Sequence, residues 1–133
     1  MSEHTIYLIG GTDDEKGILV ATTQNGICYL KFQYREREIE TNATDYFEAF
    51  CKLRLTLESE RLIPFCYGAS LNVYPSGMCR EMGNGIVAYR LQAGKKPERG
   101  DLVKIFEQGP DVIPASVVNQ KEFFNEWLQS EKV

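Results

Sequence analysis

The first third of the chain alternates apolar and polar residues with the period of a β-strand. Residues 5–9 and 18–22 are short runs rich in β-branched side chains, and the polar turn between them ends at Gly17. The dipeptide Asn25-Gly26 then favours a type I′ hairpin turn, because both residues tolerate a positive φ. The following run places four apolar side chains on one face, namely Cys28, Leu30, Phe32 and Tyr34. Together these patterns predict a three-stranded meander with one buried face.

A long helical pattern follows the meander. Asn42 or Thr44 can cap this helix, Asp45 suits the positive end of its dipole, and the pattern runs to about Leu62. Apolar residues recur along it in two stripes at helical spacing. We therefore expect most of the helix surface to be buried.

Three charged residues lie between the two apolar stripes of this helix. Arg54, Glu58 and Arg61 are three and four positions apart, which permits local ion pairs. Because these residues lie between two apolar stripes, we expect a partly buried ladder of ion pairs. An exposed ladder is the ordinary alternative, because such pairs are common and individually weak.

The second half of the chain shows shorter elements. Pro64 marks the end of the long helix, and residues 65–74 alternate like a strand. Ser76 can cap a short helix through Met82, which the following glycines stop. Further strands are predicted at 86–91 and 102–106.

A second long helix is predicted at the end of the chain. Asn119 and Glu122 have the spacing of a capping box, and Val118 and Phe123 have that of a hydrophobic staple. Trp127 and its aromatic neighbours give this helix a large apolar face, so we expect it to dock on the sheet.

The order of these elements is β-β-β-α-β-short α-β-β-α, which indicates the α+β class. We expect a single domain spanning residues 1–133, with a mostly antiparallel sheet covered on one face by two helices. A length of 133 residues with 43% hydrophobic content is sufficient for one core without disulfides or metals.

Composition narrows the range of partners and compartments. The formal net charge of -4 gives no electrostatic reason to bind nucleic acid or an anionic membrane, but it leaves a basic protein partner open. The four cysteines are widely and unevenly spaced, which favours buried thiols in a reducing compartment and hence a cytoplasmic location. The start of the chain lacks the pattern of a secretory signal. Nothing in the composition indicates an oligomeric state.

The chain offers little for the common catalytic chemistries. Its one histidine, His4, lies near the start, so a catalytic triad or a zinc site has no evident residues. The Gly83-Asn84-Gly85 segment is better explained by a helix stop than by a nucleotide-binding loop. We therefore expect no metal, no cofactor and no assigned catalytic residue.

One polar group could form a binding site. Ser70, Asn72 and Tyr74 would share one side of the predicted strand, and Ser76 and Arg80 follow at the start of the short helix. Free N–H groups there favour a negative partner, such as a carboxylate or a phosphate. The sixth member of the predicted site is Arg90, on the next strand. The alternative is that the strand residues face water and Arg80 pairs with a nearby acid.

Three functions remain open on these grounds. The first is a non-catalytic protein-binding module that neutralises a partner with a basic surface. A compact, acidic single domain of this size is similar to small bacterial immunity and adaptor proteins, and this resemblance implies an inhibitor-type role. The second is a small-molecule or anion-binding domain that uses Ser70, Asn72, Ser76 and Arg80. The third is an enzyme without histidine chemistry.

Overall fold

A curled five-stranded antiparallel sheet forms the larger layer of the protein in the computed structural model, which describes residues 1–131. Its strands lie in the order β4-β3-β2-β1-β5. Their bounds are β1 (Ser2–Ile9), β2 (Lys16–Gln24), β3 (Ile27–Tyr34), β4 (Arg37–Ala43) and β5 (Ile63–Pro64). Helix α1 (Tyr46–Ser59) packs against the inner face of this sheet.

The remaining elements form a second, smaller layer. Three short strands pair in the order β6-β7-β8, and two further helices lie around them. Their bounds are β6 (Val73–Tyr74), α2 (Gly77–Gly83), β7 (Val87–Arg90), β8 (Leu102–Lys104) and α3 (Val117–Glu131). The predicted α+β class is therefore confirmed. No helix within residues 1–131 is long and apolar enough to cross a membrane.

Strand β4 is an element that the sequence did not reveal. It pairs with β3 along its whole length and makes the meander four-stranded. The turn between the two strands consists of Arg35 and Glu36, with φ of 49° and 57°. These residues rarely adopt a positive φ, so the sequence carried no turn signal here. Glu15 stabilises the turn from the neighbouring loop by accepting hydrogen bonds from the Arg35 guanidinium.

The continuous strand predicted at 65–74 is wrong. This segment contains a 3-10 turn at Tyr67–Ala69 between the two-residue strands β5 and β6. Its backbone instead bonds to the segment after β8, with Tyr67 N–H donating to Glu107 O at 2.9 Å and Gly68 N–H to Ile105 O at 2.7 Å. A Cβ on Gly68 would lie 3.0 Å from this Ile105 oxygen and from the Phe50 ring, so a larger residue would have to displace these neighbours.

The helix ends also differ in part from the prediction. Asp45, rather than Asn42 or Thr44, caps α1 by accepting Glu48 N–H at 2.8 Å. Ser76 caps α2 as predicted. Helix α3 begins before Asn119, whose N–H donates to Ser116 Oγ at 3.1 Å, so the predicted capping box is wrong. This helix packs mainly against β6 and α1 rather than on the large sheet.

Arg54 lies in the centre of the protein and is fully buried, although arginine is rarely buried without a charged partner. Its guanidinium donates to Gln120 Oε1 at 2.6 Å, to Gly68 O at 3.0 Å and to Ala115 O at 3.1 Å. Burial lowers the pKa of Arg54. Neutral oxygens from three separate segments thus solvate one buried cation.

Gln120 completes this arrangement from α3. It is also fully buried, and its Nε2 lies within 3.0 Å of the carbonyl oxygens of Gly68, Ser70 and Val73. The predicted ladder of Arg54, Glu58 and Arg61 is not formed, because Arg54 turns inward and Glu58 accepts Val117 N–H at 3.0 Å.

We predict that Gln120→Leu lowers the free energy of unfolding by about 3 kcal/mol or more, because it removes the closest acceptor of a buried cation and the donor of buried carbonyls. Urea denaturation measures the change. Gln129→Leu is the matched control, since Gln129 is exposed on the same helix. Equal losses in the two variants would show that the buried contacts contribute no net stability.

Candidate functional site

Ser70 is a buried structural residue rather than an exposed member of a strand face. Its side chain has no exposed surface. Its hydroxyl donates to Asn72 Oδ1 at 3.1 Å and accepts the N–H of Ile113 at 2.9 Å. The expectation that Ser70, Asn72 and Tyr74 share one side of a strand is wrong, because residues 65–74 do not form a continuous strand. Ser70 instead connects the 3-10 turn to the loop before α3.

Arg80 is directed at the start of α1. Its guanidinium lies 3.0 Å from Asp45 Oδ2 and 3.6 Å from Glu48, and above the rings of Phe47 and Tyr74 at 5.3 and 5.7 Å. Burial opposes its charge, but the hydrogen bond and charge of Asp45 raise the pKa of Arg80 overall. The sequence allowed this pairing of Arg80 with a nearby acid as the alternative to an anion-binding site.

The expected convergence of Arg80 with Ser70 and Asn72 is therefore not found. Within residues 1–131 no hydrogen bond joins Arg80 to either residue. Ser76 accepts Cys79 N–H at 3.1 Å and so acts as a helix cap. Tyr74 stacks on Phe124 of α3 with ring centroids 4.1 Å apart. Arg80 and Tyr74 thus connect secondary-structure elements, and Ser76 stabilises the start of α2.

Asn72 and Arg90 do share a depression in the surface. Both line a cavity of about 220 Å³, together with residues of the loop that follows β7. Arg90 donates to Asp111 Oδ2 at 2.7 Å and to Gly100 O at 3.1 Å. We call this depression the loop cavity; its other lining residues are Leu91, Gln92, Lys95, Lys96, Pro97 and Asp101.

A hydrogen-bonded triad fixes Arg90 at the edge of the loop cavity. The Tyr67 hydroxyl donates to Asp111 Oδ1 at 2.6 Å, on the opposite carboxylate oxygen from Arg90. The hydrogen bond from Tyr67, followed by that from Arg90, lowers the pKa of Asp111. The bond to Asp111 in turn raises the pKa of Tyr67. The triad thus holds an ionised carboxylate against a cation.

Another candidate surface lies on the outer face of the large sheet. We call it the open face, and it consists of the side chains of β1–β4 that point away from α1. Tyr29 is 41% exposed and lies between Thr22 and Asn42 in register. Two positions further along β3, Lys31 lies between Val20 and Glu40 in register.

The centre of the open face is concave and partly apolar. A depression of about 400 Å³ lies around Tyr29 and Val20. The alternation in β3 predicted that the Tyr29 side chain would lie on the face opposite the buried one. The alternation could not show whether a later element covers Tyr29, because that depends on where the second half of the chain packs.

Glutamates surround this apolar centre. Glu3, Glu38 and Glu40 are exposed on the open face, against the two lysines Lys16 and Lys31. Lys31 lies 3.6 Å from Glu40, and Lys16 lies over the Tyr7 ring at 5.9 Å. The face therefore has a small excess of negative charge, in keeping with the net charge of the chain.

The thiols of Cys51 and Cys66 are not nucleophiles at neutral pH. All four cysteines are free, as the sequence predicted. Burial raises the pKa of Cys51 to about 11 and that of Cys66 to about 12. Such thiols stay protonated, whereas the thiolate is the reactive form. Within residues 1–131 no three side chains of His, Cys, Asp or Glu come together as a metal site.

Comparison with protein-family models and with curated proteins finds no match to this chain. Any assignment of function therefore depends on the geometry of the residues described above.

We predict that Arg80→Ala lowers the free energy of unfolding by about 1–3 kcal/mol, because it leaves the partly buried Asp45 carboxylate without its cation. Thermal or urea unfolding measures the change. Arg99→Ala removes an exposed arginine from the loop after β7 and is the control. If Arg80→Ala costs no more than Arg99→Ala, the contact with Asp45 does not hold the two helices together.

The triad around Asp111 predicts a specific acid sensitivity. Because the pKa of Asp111 is lowered in the folded state, its contribution is complete above the unfolded pKa of about 3.9 and is lost as the pH falls through the folded value. The stability difference between the wild type and Asp111→Asn should therefore shrink below about pH 4. Urea midpoints across this range measure it. Asp13→Asn, in an exposed turn, is the control, and the same pH profile for both variants would contradict the prediction.

Proposed function

We propose that this chain is a non-catalytic protein-binding module of the inhibitor or immunity type, which neutralises a basic partner by covering it with the open face. The observation that carries the proposal is the exposure of Tyr29 in a concave, partly apolar centre, on a sheet face that no helix within residues 1–131 covers. Tyrosine is enriched among the residues that dominate binding energy at protein interfaces.

The layout of the open face matches the usual anatomy of an interface. Val20 and Tyr29 supply an apolar centre, and charged residues stand around it. Protein interfaces combine a desolvated centre with a polar rim in this way. Because the side chains project from a regular four-stranded meander, their positions are fixed before binding, which reduces the entropy lost on association.

Charge determines the kind of partner. Three glutamates against two lysines make the open face slightly acidic, and Glu40 already neutralises Lys31. A basic partner surface gains from this arrangement, since complementary charge speeds association and suppresses wrong partners. The net charge of -4 acts in the same direction over longer distances.

A binding role also agrees with the pairing of Arg80 and Arg90 and with the free cysteine thiols. The contacts of Arg80 with Asp45 and of Arg90 with Asp111 engage those two arginines in structural ion pairs. The four free thiols support a reducing compartment, and we propose the cytoplasm.

We predict that a photo-crosslinking amino acid at Tyr29 captures one discrete partner in the source cells, whereas the same amino acid at Leu55 does not. Leu55 is the control because it is 52% exposed on α1, away from the open face. With the captured partner purified, Tyr29→Ala should weaken binding by about 2 kcal/mol, or roughly 30-fold. The absence of a product, or equal products at both positions, would contradict the proposal.

Charge reversal provides the second arm of this experiment. Glu38→Lys with Glu40→Lys should slow association with a basic partner and reduce its salt dependence. Glu122→Lys with Glu126→Lys makes the same change on exposed positions of α3 and should have little effect. If both double variants bind alike, the partner does not contact the open face.

A further inference from the structure

The loop cavity collects positive charge on an acidic protein. Lys95, Lys96 and Arg90 line it, against the one lining carboxylate of Asp101. It has no lining residue in common with the depression on the open face. A second binding surface, separate from the proposed protein interface, is therefore available.

The polar groups of the cavity are mostly donors. Asn72 uses Oδ1 to accept the Ser70 hydroxyl, and within residues 1–131 its amide N–H groups have no acceptor. Arg90 has one nitrogen on Asp111 and another on Gly100 O, which fixes its plane. Asp101 Oδ2 accepts Glu98 N–H at 2.8 Å and is thereby engaged in the loop's own turn.

Helix α3 holds this loop in place. The Trp127 indole N–H donates to Lys95 O at 3.1 Å, and Gly94 N–H donates to Ser130 Oγ at 2.9 Å. Lys95 N–H also donates to Gln92 O at 3.1 Å, and this hydrogen bond closes a tight turn. The backbone that carries the two lysines is thus fixed from both sides, and only their side chains need to be ordered on binding.

The donors determine the class of anion. A planar carboxylate binds best to two parallel N–H groups of arginine, but Asp111 already occupies Arg90. The remaining donors are two ammonium groups and an amide, and ammonium groups bind phosphate as compact point charges. A volume of about 220 Å³ is below that of drug-sized pockets, which begin at about 300 Å³.

We propose that the loop cavity binds a small phosphate-bearing anion, either free phosphate or the phosphate group of a small monoester. Lys95 and Lys96 supply the charge, Asn72 donates to a phosphate oxygen, and Arg90 forms the wall of the site. This proposal does not depend on the proposed protein-binding function.

Titration of the full ¹⁵N-labelled chain tests the site. Inorganic phosphate, O-phosphoserine and acetate are each added at constant ionic strength, and backbone amide shifts are followed by NMR. Phosphate should give saturable shifts at Asn72 and at residues 91–101, while acetate should not. Stronger binding of phosphoserine would identify a monoester as the ligand, and stronger binding of inorganic phosphate would identify the free ion.

A matched pair of double variants completes the test. Lys95→Gln with Lys96→Gln should weaken phosphate binding about tenfold or more. Lys52→Gln with Lys104→Gln makes the same change in net charge at exposed positions outside both the loop cavity and the open face, and this variant should bind phosphate as the wild type does. The proposal is overturned if the two double variants bind alike, if acetate reproduces the phosphate shifts, or if the shifts are dispersed and do not saturate.

Discussion

The rest of the structure depends on the solvation of one buried cation, Arg54. A guanidinium keeps its charge at any physiological pH, so removing it from water is costly unless other oxygens replace the water. Here those oxygens belong to Gly68 in the 3-10 turn and to Ala115 and Gln120, which lie much later in the chain. The requirement to satisfy Arg54 therefore fixes the relative positions of α1, the 3-10 turn, the loop before α3 and α3 itself.

Helix α3 transmits this constraint to the surface. Gln120, near its start, is bonded in the core, and Trp127, near its end, is 8% exposed and bonds to Lys95. The same helix thus satisfies the buried cation and holds the loop that carries Lys95 and Lys96. A change in the packing of α3 would therefore also move the loop that lines the loop cavity.

The open face results from the same packing. Helix α1 covers the inner side of the large sheet, and the Arg54 contacts draw the second layer toward that side as well. In the part of the chain that the structure describes, no element covers the outer side of β1–β4, so its alternating side chains remain exposed. Arg80 strengthens this arrangement by joining α2 to the start of α1 through Asp45. The two proposed binding surfaces are consequently separate, one on each layer.

The sequence by itself determined the elements whose signals are local. Strict alternation located β3, Asn25-Gly26 located its turn, and the apolar face of α3 predicted the burial of Trp127. It also indicated free thiols and the α+β class. Each of these follows from residues within a few positions of one another or from overall composition.

Only the tertiary structure decided which polar residues are structural and which are available. The sequence indicated that Arg54 belongs to a partly buried ladder, Ser70 to a strand face and Arg80 to an anion site, yet long-range partners engage all three. Strand β4 and the 3-10 turn at Tyr67–Ala69 likewise depend on distant hydrogen bonds that override local preference. The physical reason is that a buried polar group must be paired, and its partner can come from any part of the chain that folding brings near.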